Sequence, residues 1–362
     1  MNSCPRVALV GCGTFACAAH IPALRRLEKE GHIELVALCS RSEESLSRAS
    51  KLYARGNLKK YTDIHDVIAD PNVDMVDLVL PISITSNAIK ESLQSGKHVI
   101  SEKPCAPTVS DGIELFNFYS SLENPPLWAV AENWRFKNTT KIIEKIVTSG
   151  AIGKIQFADF QHMTFAGPEN LGWRGSPDYP GGFLLDSGVH FVALLRKVVG
   201  EVERVSATVS QRLTHLPPAD SVTAVLSFAG GAEGCFRLSF AAREAGRQPG
   251  LSLNGSEGAV FADFRRNRTV DLRRNWIKVR GSAGKRLIYV ANDLWVTGGV
   301  YELLSHCVES LRLGTPLRST AWEALRDVAV VEAMLESSRI NKPVYPSSLH
   351  PILHERSQST GA

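Results

Sequence analysis

The sequence predicts an α/β fold in which a doubly wound parallel-sheet domain precedes an α+β domain with a mostly antiparallel sheet. In the first third of the chain, short apolar runs alternate with helical patterns, as is typical of βαβ units. After about residue 136, longer alternating runs and hairpin signals appear, which favour antiparallel strands. The 362 residues are enough for two domains of ordinary size.

The N-terminal domain is assigned to residues 1–136. Ser42 and Asp63 have the residue type that caps helix N-termini, and Gly96 is placed to end a helix that begins near Thr85. Strands are expected at 6–10, 33–39, 74–80, 98–101 and 127–131. Because right-handed crossovers join such strands, they are expected to form one parallel sheet covered on both faces.

The first helix contains a proline. Pro22 lacks an amide hydrogen and disfavours the helical conformation of the preceding Ile21. The helix that begins near Phe15 is therefore expected to break around His20 and to resume at Pro22.

The C-terminal domain is assigned to residues 137–345, and residues 346–362 are expected to form a poorly ordered tail. Helices are predicted at 138–149, 182–199, 298–313 and 322–340, and strands at 155–165, 202–212, 221–228 and 234–240. Asn254-Gly255 and Glu257-Gly258 are hairpin signals.

Composition excludes several classes of protein. The chain is 44% hydrophobic and 22% charged, values that are ordinary for a globular protein, and no apolar run approaches the roughly 20 residues that span a bilayer. The net charge of +4 suits an anionic ligand but is small for a nucleic-acid binder. We therefore expect neither membrane nor nucleic-acid partners.

The seven cysteines are scattered and show no CxxC spacing. This distribution argues against both a disulfide framework and a zinc site, so no metal is expected. The N-terminal residues contain no hydrophobic signal core. We expect a reducing, cytoplasmic location.

A glycine-rich turn follows the first strand. Gly11-Cys12-Gly13-Thr14-Phe15-Ala16 has the G-x-G-x-x-A form, in which the first glycine permits a tight turn and the second lets backbone amides approach a pyrophosphate. A small residue at position 16 lets the helix pack close to the strand, and the helix N-terminus favours an anion. The turn therefore predicts a dinucleotide site, with a purely structural turn as the alternative.

The end of the second strand bears on the choice of dinucleotide. An NAD site usually has an acidic residue there to bind the ribose 2′-hydroxyl, whereas this chain has Ser40-Arg41-Ser42. A hydroxyl and a guanidinium fit a 2′-phosphate, so NADP is predicted in preference to NAD. The alternative is that Ser42 only caps the next helix and Arg41 is solvated.

The motif Ser101-Glu102-Lys103-Pro104 lies at the carboxyl end of a predicted parallel strand, the edge at which open α/β sheets bind ligands. At this position Lys103 is expected to project toward the nicotinamide. A surface ion pair between Glu102 and Lys103 is the alternative.

A third motif, Gly181-Gly182-Phe183-Leu184-Leu185-Asp186-Ser187-Gly188-Val189-His190, opens a predicted helix. Asp186 and His190 are four residues apart and so share one helix face, where the carboxylate can orient the imidazole. The glycines are expected to leave room for a ligand. A satisfied structural pair is the alternative reading of Asp186 and His190.

Other residues are expected near the same cleft. Asn133 and Arg135 follow the predicted strand at 127–131 and are candidates to bind substrate hydroxyls, with an interdomain salt bridge as the alternative for Arg135. Trp173 is expected to stack on the substrate or the nicotinamide, or else to anchor its loop. A basic cluster between residues 265 and 280 is interpreted as a solvated face or subunit interface, since no recognition helix accompanies it.

Together these motifs resemble the glucose–fructose oxidoreductase / inositol dehydrogenase / rhizopine catabolism family of NAD(P)-dependent sugar and polyol oxidoreductases. The resemblance rests on the glycine turn, Glu102-Lys103-Pro104, Trp173-Arg174 and the motif that ends at His190, and it extends from residue 6 to about 345. It implies a Rossmann domain followed by an open-faced antiparallel sheet that commonly mediates oligomerisation. We therefore expect a homo-oligomer, a dimer or tetramer.

The resemblance also implies that Lys103, Asp186 and His190 surround the nicotinamide, that Trp173 and Arg174 lie on the substrate side, and that Pro81 and Glu102 contact the cofactor. Many members carry a histidine four residues past the proline, where this chain has Thr85. Since dihydrodiol and xylose dehydrogenase relatives usually have tyrosine at position 190, the histidine favours the polyol and aldose branch.

These expectations define an NADP(H)-dependent oxidoreductase. Oxidation of a carbinol removes a proton from oxygen as the hydride leaves carbon, and His190 and Lys103 are expected to share the acid–base and oxygen-polarising roles. Two alternatives remain: a non-catalytic dinucleotide-binding regulator of the same fold, and an enzyme that oxidises its substrate transiently with a tightly held cofactor.

Overall fold

The computed structural model describes residues 4–54, 57–169, 171–179, 181–243, 250–263, 274–281, 284–291 and 296–359. The chain divides into two compact units. The first comprises Met1–Ala106, Asp111–Phe136 and Gly299–Leu325, and the second comprises Pro107–Ser110, Lys137–Gly298 and Arg326–Ala362. The segment Gly299–Leu325 thus belongs to the first unit, although the sequence division at residue 136 assigns it to the second.

Gly299–Leu325 belongs to the first unit because its helix buries apolar side chains in the core of that unit. Leu303, Leu304 and Cys307, on the helix Val300–Leu313, are fully buried in the same core as strand residues Leu9 and Leu38. Burying such side chains outweighs the entropic cost of bringing distant segments of the chain together, because that cost grows only slowly with loop length.

The first unit contains a six-stranded sheet in the order β3-β2-β1-β4-β5-β6, and every strand pair in it is parallel. The strands are β1 (Arg6–Val10), β2 (Glu34–Cys39), β3 (Lys59–Tyr61), β4 (Met75–Leu78), β5 (His98–Glu102) and β6 (Trp128–Ala131). This is the doubly wound order, with its switch point between β1 and β4. The predicted fold class of this domain is confirmed.

The helices of this unit are α1 (Ile21–Lys29), α2 (Glu43–Tyr53), α3 (Ile64–Ala69), α4 (Ile82–Gln94), α5 (Val109–Ser121), which begins in the second unit, and α8 (Val300–Leu313). The predicted caps are confirmed, because Ser42 accepts the amide hydrogen of Ser45 and Asp63 accepts that of His65. The sequence missed β3, whose three residues include no apolar alternation.

The predicted break before Pro22 is wrong. A π turn, Ala16–His20, leads directly into α1, and Ile21 is helical at φ −56° and ψ −48° with its amide bonded to the carbonyl of Ala16. The wider turn lets the chain continue past the proline ring, which would meet a carbonyl in a regular α-helix.

The second unit is built on an eight-stranded sheet in the order β14-β13-β12-β11-β7-β10-β9-β8. Only the β7–β10 pair is parallel, so the prediction of a mostly antiparallel sheet is confirmed. The strands are β7 (Ile155–Met163), β8 (Val202–Ser210), β9 (Ser221–Phe228), β10 (Glu233–Ser239), β11 (Leu251–Gly255), β12 (Ala259–Asp263), β13 (Arg274–Gly281) and β14 (Gly284–Ala291).

Its helices are α6 (Asn138–Thr148), α7 (Gly182–Val198), α9 (Ala321–Ile340), which begins in the first unit, and α10 (Pro351–Ser359). Phe191 of α7 stacks on Phe160 of β7 with ring centroids 4.6 Å apart, and Phe160 stacks on Phe236 of β10. These aromatic contacts fix α7 on one face of the sheet. The helix α10 replaces the poorly ordered tail that the sequence predicts.

In the described part of the chain, none of the helices combines the length and the hydropathy needed to cross a bilayer.

Candidate active site

The glycine turn after β1 is shaped by two different constraints. Gly11 has φ +96°, and a Cβ atom there would lie 2.1 Å from the carbonyl oxygen of Val79, so only glycine fits this close approach. A Cβ atom at Gly13 would meet no atom within 4 Å, so the space above the turn is open. Ala16 is fully buried and Thr14 is exposed. The turn thus presents an open surface at a helix N-terminus, which suits a pyrophosphate.

A cavity of about 570 Å³ adjoins this turn. Most of the residues predicted to bind the cofactor on this side of the sheet line it, namely Gly11, Gly13, Ser40, Arg41 and Pro81. The cavity lies at the carboxyl ends of β1, β2 and β4, where an open α/β sheet binds a nucleotide.

The wall of the cavity at the end of β2 carries a positive charge. Arg41 is exposed, and within the described residues its guanidinium makes no hydrogen bond or ion pair. Ser42 caps the N-terminus of α2, which is the alternative role predicted for it. An available guanidinium beside two hydroxyl side chains fits a dianionic phosphate. The donor set and the open turn therefore fit NADP.

Arg48 is a cation near this wall that the sequence did not single out. Its guanidinium lies 3.5 Å from the carbonyl oxygen of Cys12 and 3.3 Å from the hydroxyl of Ser45. The signal that could have found it is the helical spacing from Ser45 to Arg48, which places both on the face of α2 toward the glycine turn.

At the carboxyl end of β5, both oxygens of Glu102 accept hydrogen bonds. Glu102 Oε2 accepts from the backbone amide of Lys103 at 3.2 Å, and Oε1 lies 3.0 Å from His20 Nε2. His20 Nδ1 in turn lies 2.7 Å from Asp77 Oδ2. Phe15 of the glycine turn packs edge-on against His20. Sequence reasoning missed His20 and Asp77, because nothing in their spacing shows that β4, β5 and the first helix meet here.

In the second unit, the motif that opens α7 places Asp186 against Arg174. Arg174 Nε donates to Asp186 Oδ2 at 2.7 Å, and the carboxylate is buried. His190 is one helical turn farther along α7 and is half-buried. Arg174 and Asp186 were predicted separately, as a substrate contact and a catalytic residue, and the structure joins them.

The sequence suggests that Gly181 and Gly182, at the start of α7, leave room for a ligand, but the structure shows that they do not. Gly181 has φ +71° and Gly182 has φ +51°, and a Cβ atom on Gly182 would lie 2.5 Å from the carbonyl oxygen of Pro217. Backbone conformation and close packing of the protein against itself explain both residues.

Tyr179 is a further residue of this cluster that sequence reasoning missed. It is buried, and burial together with the charge of Asp186 raises the pKa of its phenol well above the ordinary value, against the opposing effect of Arg174. The phenol is therefore a neutral group beside the carboxylate. The side chain of Trp173 lies outside what the structure describes, and the same holds for the side chains of the basic cluster between residues 265 and 280.

Asn133 and Arg135 lie in a short 3₁₀ turn, Asn133–Phe136, after β6, and both are buried. Arg135 Nη2 lies 3.6 Å from Glu323 Oε2. Glu323 belongs to the same unit, so this is not the interdomain ion pair considered as the alternative. Because the guanidinium of Arg135 already faces a carboxylate, it is less available to substrate hydroxyls than an exposed guanidinium such as that of Arg41.

Thr85 occupies the position for which the resemblance seen in the sequence implies a histidine. Its hydroxyl is buried and donates to the carbonyl oxygen of Pro81 at 2.9 Å. The hydroxyl thus serves the first turn of α4. Within the described residues, no group of three or more histidine, cysteine, aspartate or glutamate side chains is arranged to hold a metal ion.

Two family models match the chain. Residues 5–125 match the model of an oxidoreductase family with an NAD-binding Rossmann fold, and residues 140–261 match the model of the GFO/IDH/MocA C-terminal domain. A dehydrogenase of Fusarium mangiferae named FPY6 is 31% identical over 357 residues, which cover 92% of this chain and 96% of the relative.

Two further relatives extend the comparison. The D-apiose dehydrogenase of Paraburkholderia graminis is 25% identical over 356 residues, covering 94% of this chain and 90% of the relative. The crystal structure of an oxidoreductase from Thermotoga maritima superposes with a TM-score of 0.82 at 26% identity, covering 96% of this chain and all of that one. Both family models and a full-length relative agree, and the chain belongs to the GFO/IDH/MocA family of oxidoreductases.

Proposed function

We propose that the protein is an NADP(H)-dependent oxidoreductase that transfers a hydride between the nicotinamide and a hydroxyl or carbonyl group of a sugar, a polyol or a related compound. The observation that carries the choice of cofactor is the cavity wall at the end of β2, where Ser40 and Arg41, whose guanidinium has no partner in the described part of the chain, replace the usual acidic residue. The relative that acts on D-apiose supports a carbohydrate substrate.

In this proposal the cofactor, when bound, supplies or accepts the hydride. Lys103 donates a hydrogen bond to the reacting substrate oxygen and stabilises the negative charge that develops on it. His190 accepts the hydroxyl proton as the carbinol becomes a carbonyl, and returns it in the reductive direction. Lys103 and His190 can exchange these two roles without changing the overall balance of one hydride and one proton.

Asp186 is assigned to accept hydrogen bonds from substrate hydroxyls or to fix the tautomer of His190. Its ion pair with Arg174 limits the rotation of the carboxylate, so that it presents a fixed acceptor. Asn133, Arg135 and Trp173 are kept as candidates to contact the substrate.

The sheet of the second unit is proposed to form the contact of a homo-oligomer. Its exposed face carries Phe157 on β7 and Val225 on β9, which are 54% and 52% exposed. They flank β10, whose outward residues are Glu233, Cys235 and Arg237. Large apolar side chains on one face of a sheet are typical of a surface that a partner covers.

The experiment that tests the function is a fluorescence titration of the purified protein with NADPH and NADH, followed by turnover assays of the preferred cofactor with aldoses, ketoses and inositols. NADPH binding with turnover of a panel member is the expected result. Binding of the dinucleotide without turnover of any member would instead favour the non-catalytic regulator, for which the cofactor pocket alone suffices. Failure to bind either dinucleotide would remove the proposal.

A further inference from the structure

A buried cluster of three ionisable groups lies beneath the glycine turn of the first unit. His20, at the end of the π turn, has no exposed surface and lies between Asp77 of β4 and Glu102 of β5. Asp77 is also fully buried, and the side chain of Glu102 is 11% exposed. One imidazole therefore joins two neighbouring strands at the edge that binds the dinucleotide.

The charges in this cluster require a cation. Burial by itself lowers the pKa of His20, but attraction and hydrogen bonds from Asp77 and Glu102 outweigh burial and raise this pKa to about 10. The ring of Phe15 also packs against His20, and burial together with Asp77 raises the pKa of the Cys307 thiol on α8. Two carboxylates on adjacent strands without this cation would repel each other in a poorly solvated site.

The cluster is connected to Lys103 through Glu102. One oxygen of Glu102 is engaged by His20 and the other accepts the backbone amide hydrogen of Lys103. His20 thus restrains the Glu102 carboxylate, and the carboxylate in turn restrains the backbone amide of Lys103. Charge-assisted hydrogen bonds of this kind restrict rotation more than neutral ones do.

We propose that His20 is a positioning residue that, as an imidazolium held between Asp77 and Glu102, fixes the Glu102–Lys103 turn at the nicotinamide end of the cofactor site. This inference rests on the proposed function, which places the nicotinamide beside Lys103. The cavity at the end of β2 takes the adenosine end, so His20 acts on only one end of the ligand.

The test uses two ligands that differ only at the nicotinamide. NADPH and 2′-phospho-ADP-ribose share the adenosine, the 2′-phosphate and the pyrophosphate. In His20→Gln, the side chain keeps hydrogen-bonding atoms but loses the charge. We expect the Kd of NADPH to rise about tenfold while that of 2′-phospho-ADP-ribose stays within about twofold, because only the nicotinamide end loses its fixed turn.

His98→Gln is the matched control. His98 begins β5, the strand that Glu102 ends, and its Nδ1 accepts the amide hydrogen of Leu127. His98 is partly buried and lies in the same strand as Glu102, but at the amino-terminal end of that strand. We expect it to leave both dissociation constants unchanged even if the melting temperature falls.

Asp77→Asn supplies a second readout that a purely structural role would not change. Removing the larger of the two stabilising charges lowers the pKa of His20, so the imidazole loses its proton as pH rises through about 6 to 9. We expect NADPH binding by this variant to weaken with rising pH over that window, and binding by the wild-type protein to stay constant. The ring ¹⁵N shifts of His20 in histidine-labelled wild-type protein at pH 8 should be those of an imidazolium.

Three results would overturn the inference. The first is a neutral His20 at pH 8 in the wild-type protein, and the second is unchanged NADPH affinity in His20→Gln. The third is an equal rise in the dissociation constants of NADPH and 2′-phospho-ADP-ribose in His20→Gln and Asp77→Asn, with no dependence on pH. If the wild-type protein binds neither ligand, the proposed function itself fails, and this outcome is distinct because it appears before any variant is made.

Discussion

Arg41, Arg135 and Arg174 carry the same guanidinium group but have different neighbours. Arg135 faces Glu323 and Arg174 binds Asp186, whereas Arg41 is exposed at the cavity wall and is unpaired within the described residues. An arginine already bound to a carboxylate positions that carboxylate, while an unpaired one can bind an incoming anion. The neighbours therefore distinguish the roles of residues that the sequence presents alike.

Arg41→Ala tests the choice of cofactor. The substitution removes a charge-assisted contact that only the 2′-phosphate can use, so the Kd of NADPH should rise about tenfold, or about 1.4 kcal/mol, while that of NADH stays within about twofold. Fluorescence titration with both dinucleotides measures this difference. Lys51→Ala, in the last turn of α2 and also exposed, is the control, and an equal loss for both dinucleotides in Arg41→Ala would remove the assignment.

Lys103→Met and His190→Asn test the catalytic assignment. Each substitution removes a group proposed to act on the substrate oxygen, so kcat should fall at least about a hundredfold, well beyond any change in the Kd of NADPH. Turnover assays and fluorescence titration measure the two quantities separately. Wild-type turnover in both variants would show that the reaction takes place elsewhere.

At the scale of elements, the turn between β1 and the π turn shows how two glycines of one motif serve different ends. Gly11 is required by the approach of the turn to the end of β4, and Gly13 leaves open the space above the turn. The first is a constraint of folding and the second a constraint of binding. Substituting Gly11 should therefore change the free energy of unfolding, whereas substituting Gly13 should change the affinity for the dinucleotide.

Substituting each glycine by alanine separates these constraints. Gly11→Ala should lower the free energy of unfolding by about 2–4 kcal/mol, since it combines a positive φ with a clash against the Val79 carbonyl. Gly13→Ala should leave that free energy within about 1 kcal/mol, yet weaken NADPH binding at least about tenfold, because its methyl group enters the space of the pyrophosphate. Denaturant unfolding and fluorescence titration give the two values. A Gly13→Ala variant that binds NADPH normally would place the pyrophosphate elsewhere.

At the scale of the whole molecule, the proposed oligomer depends on the exposed sheet face of the second unit. Its inner face is filled by Phe160, Phe236 and Phe191, while Phe157 and Val225 on the outer face are exposed. Large apolar side chains that stay exposed on the outer face of such a sheet favour cover by a partner.

Phe157→Lys tests this interface. In a two-fold contact each substitution occurs twice, so the lysines should repel each other and shift the proposed dimer or tetramer toward the monomer. Light scattering after size-exclusion chromatography measures the mass. Leu313→Lys, at a residue 69% exposed in the first unit, serves as the control. A wild-type monomer, or a Phe157→Lys variant of unchanged mass, contradicts the interface.

The sequence predicted some parts of the fold and site more completely than others. The strands that were predicted, the Ser42 and Asp63 caps and the cavity residues from Gly11 to Pro81 follow from local periodicity and from motifs whose spacing is short; β3, β13 and β14 were not predicted. The π turn was missed because the outcome of a proline in a helix depends on the packing around it. Arg48 was missed because its contact with the carbonyl oxygen of Cys12 joins two distant segments of the chain, and Tyr179 was missed because its burial beside Asp186 depends on how the chain folds.

The sequence by itself determined the fold class, the place of the dinucleotide turn and the family, since these depend on patterns within a few tens of residues. Only the tertiary structure decided that Gly299–Leu325 belongs to the first unit, that Arg174 holds Asp186, and that His20 joins Asp77 to Glu102. The physical reason is that burial and charge pairing depend on which segments meet in space. A buried carboxylate selects its cation by proximity in the folded chain, and separation along the sequence does not encode that proximity.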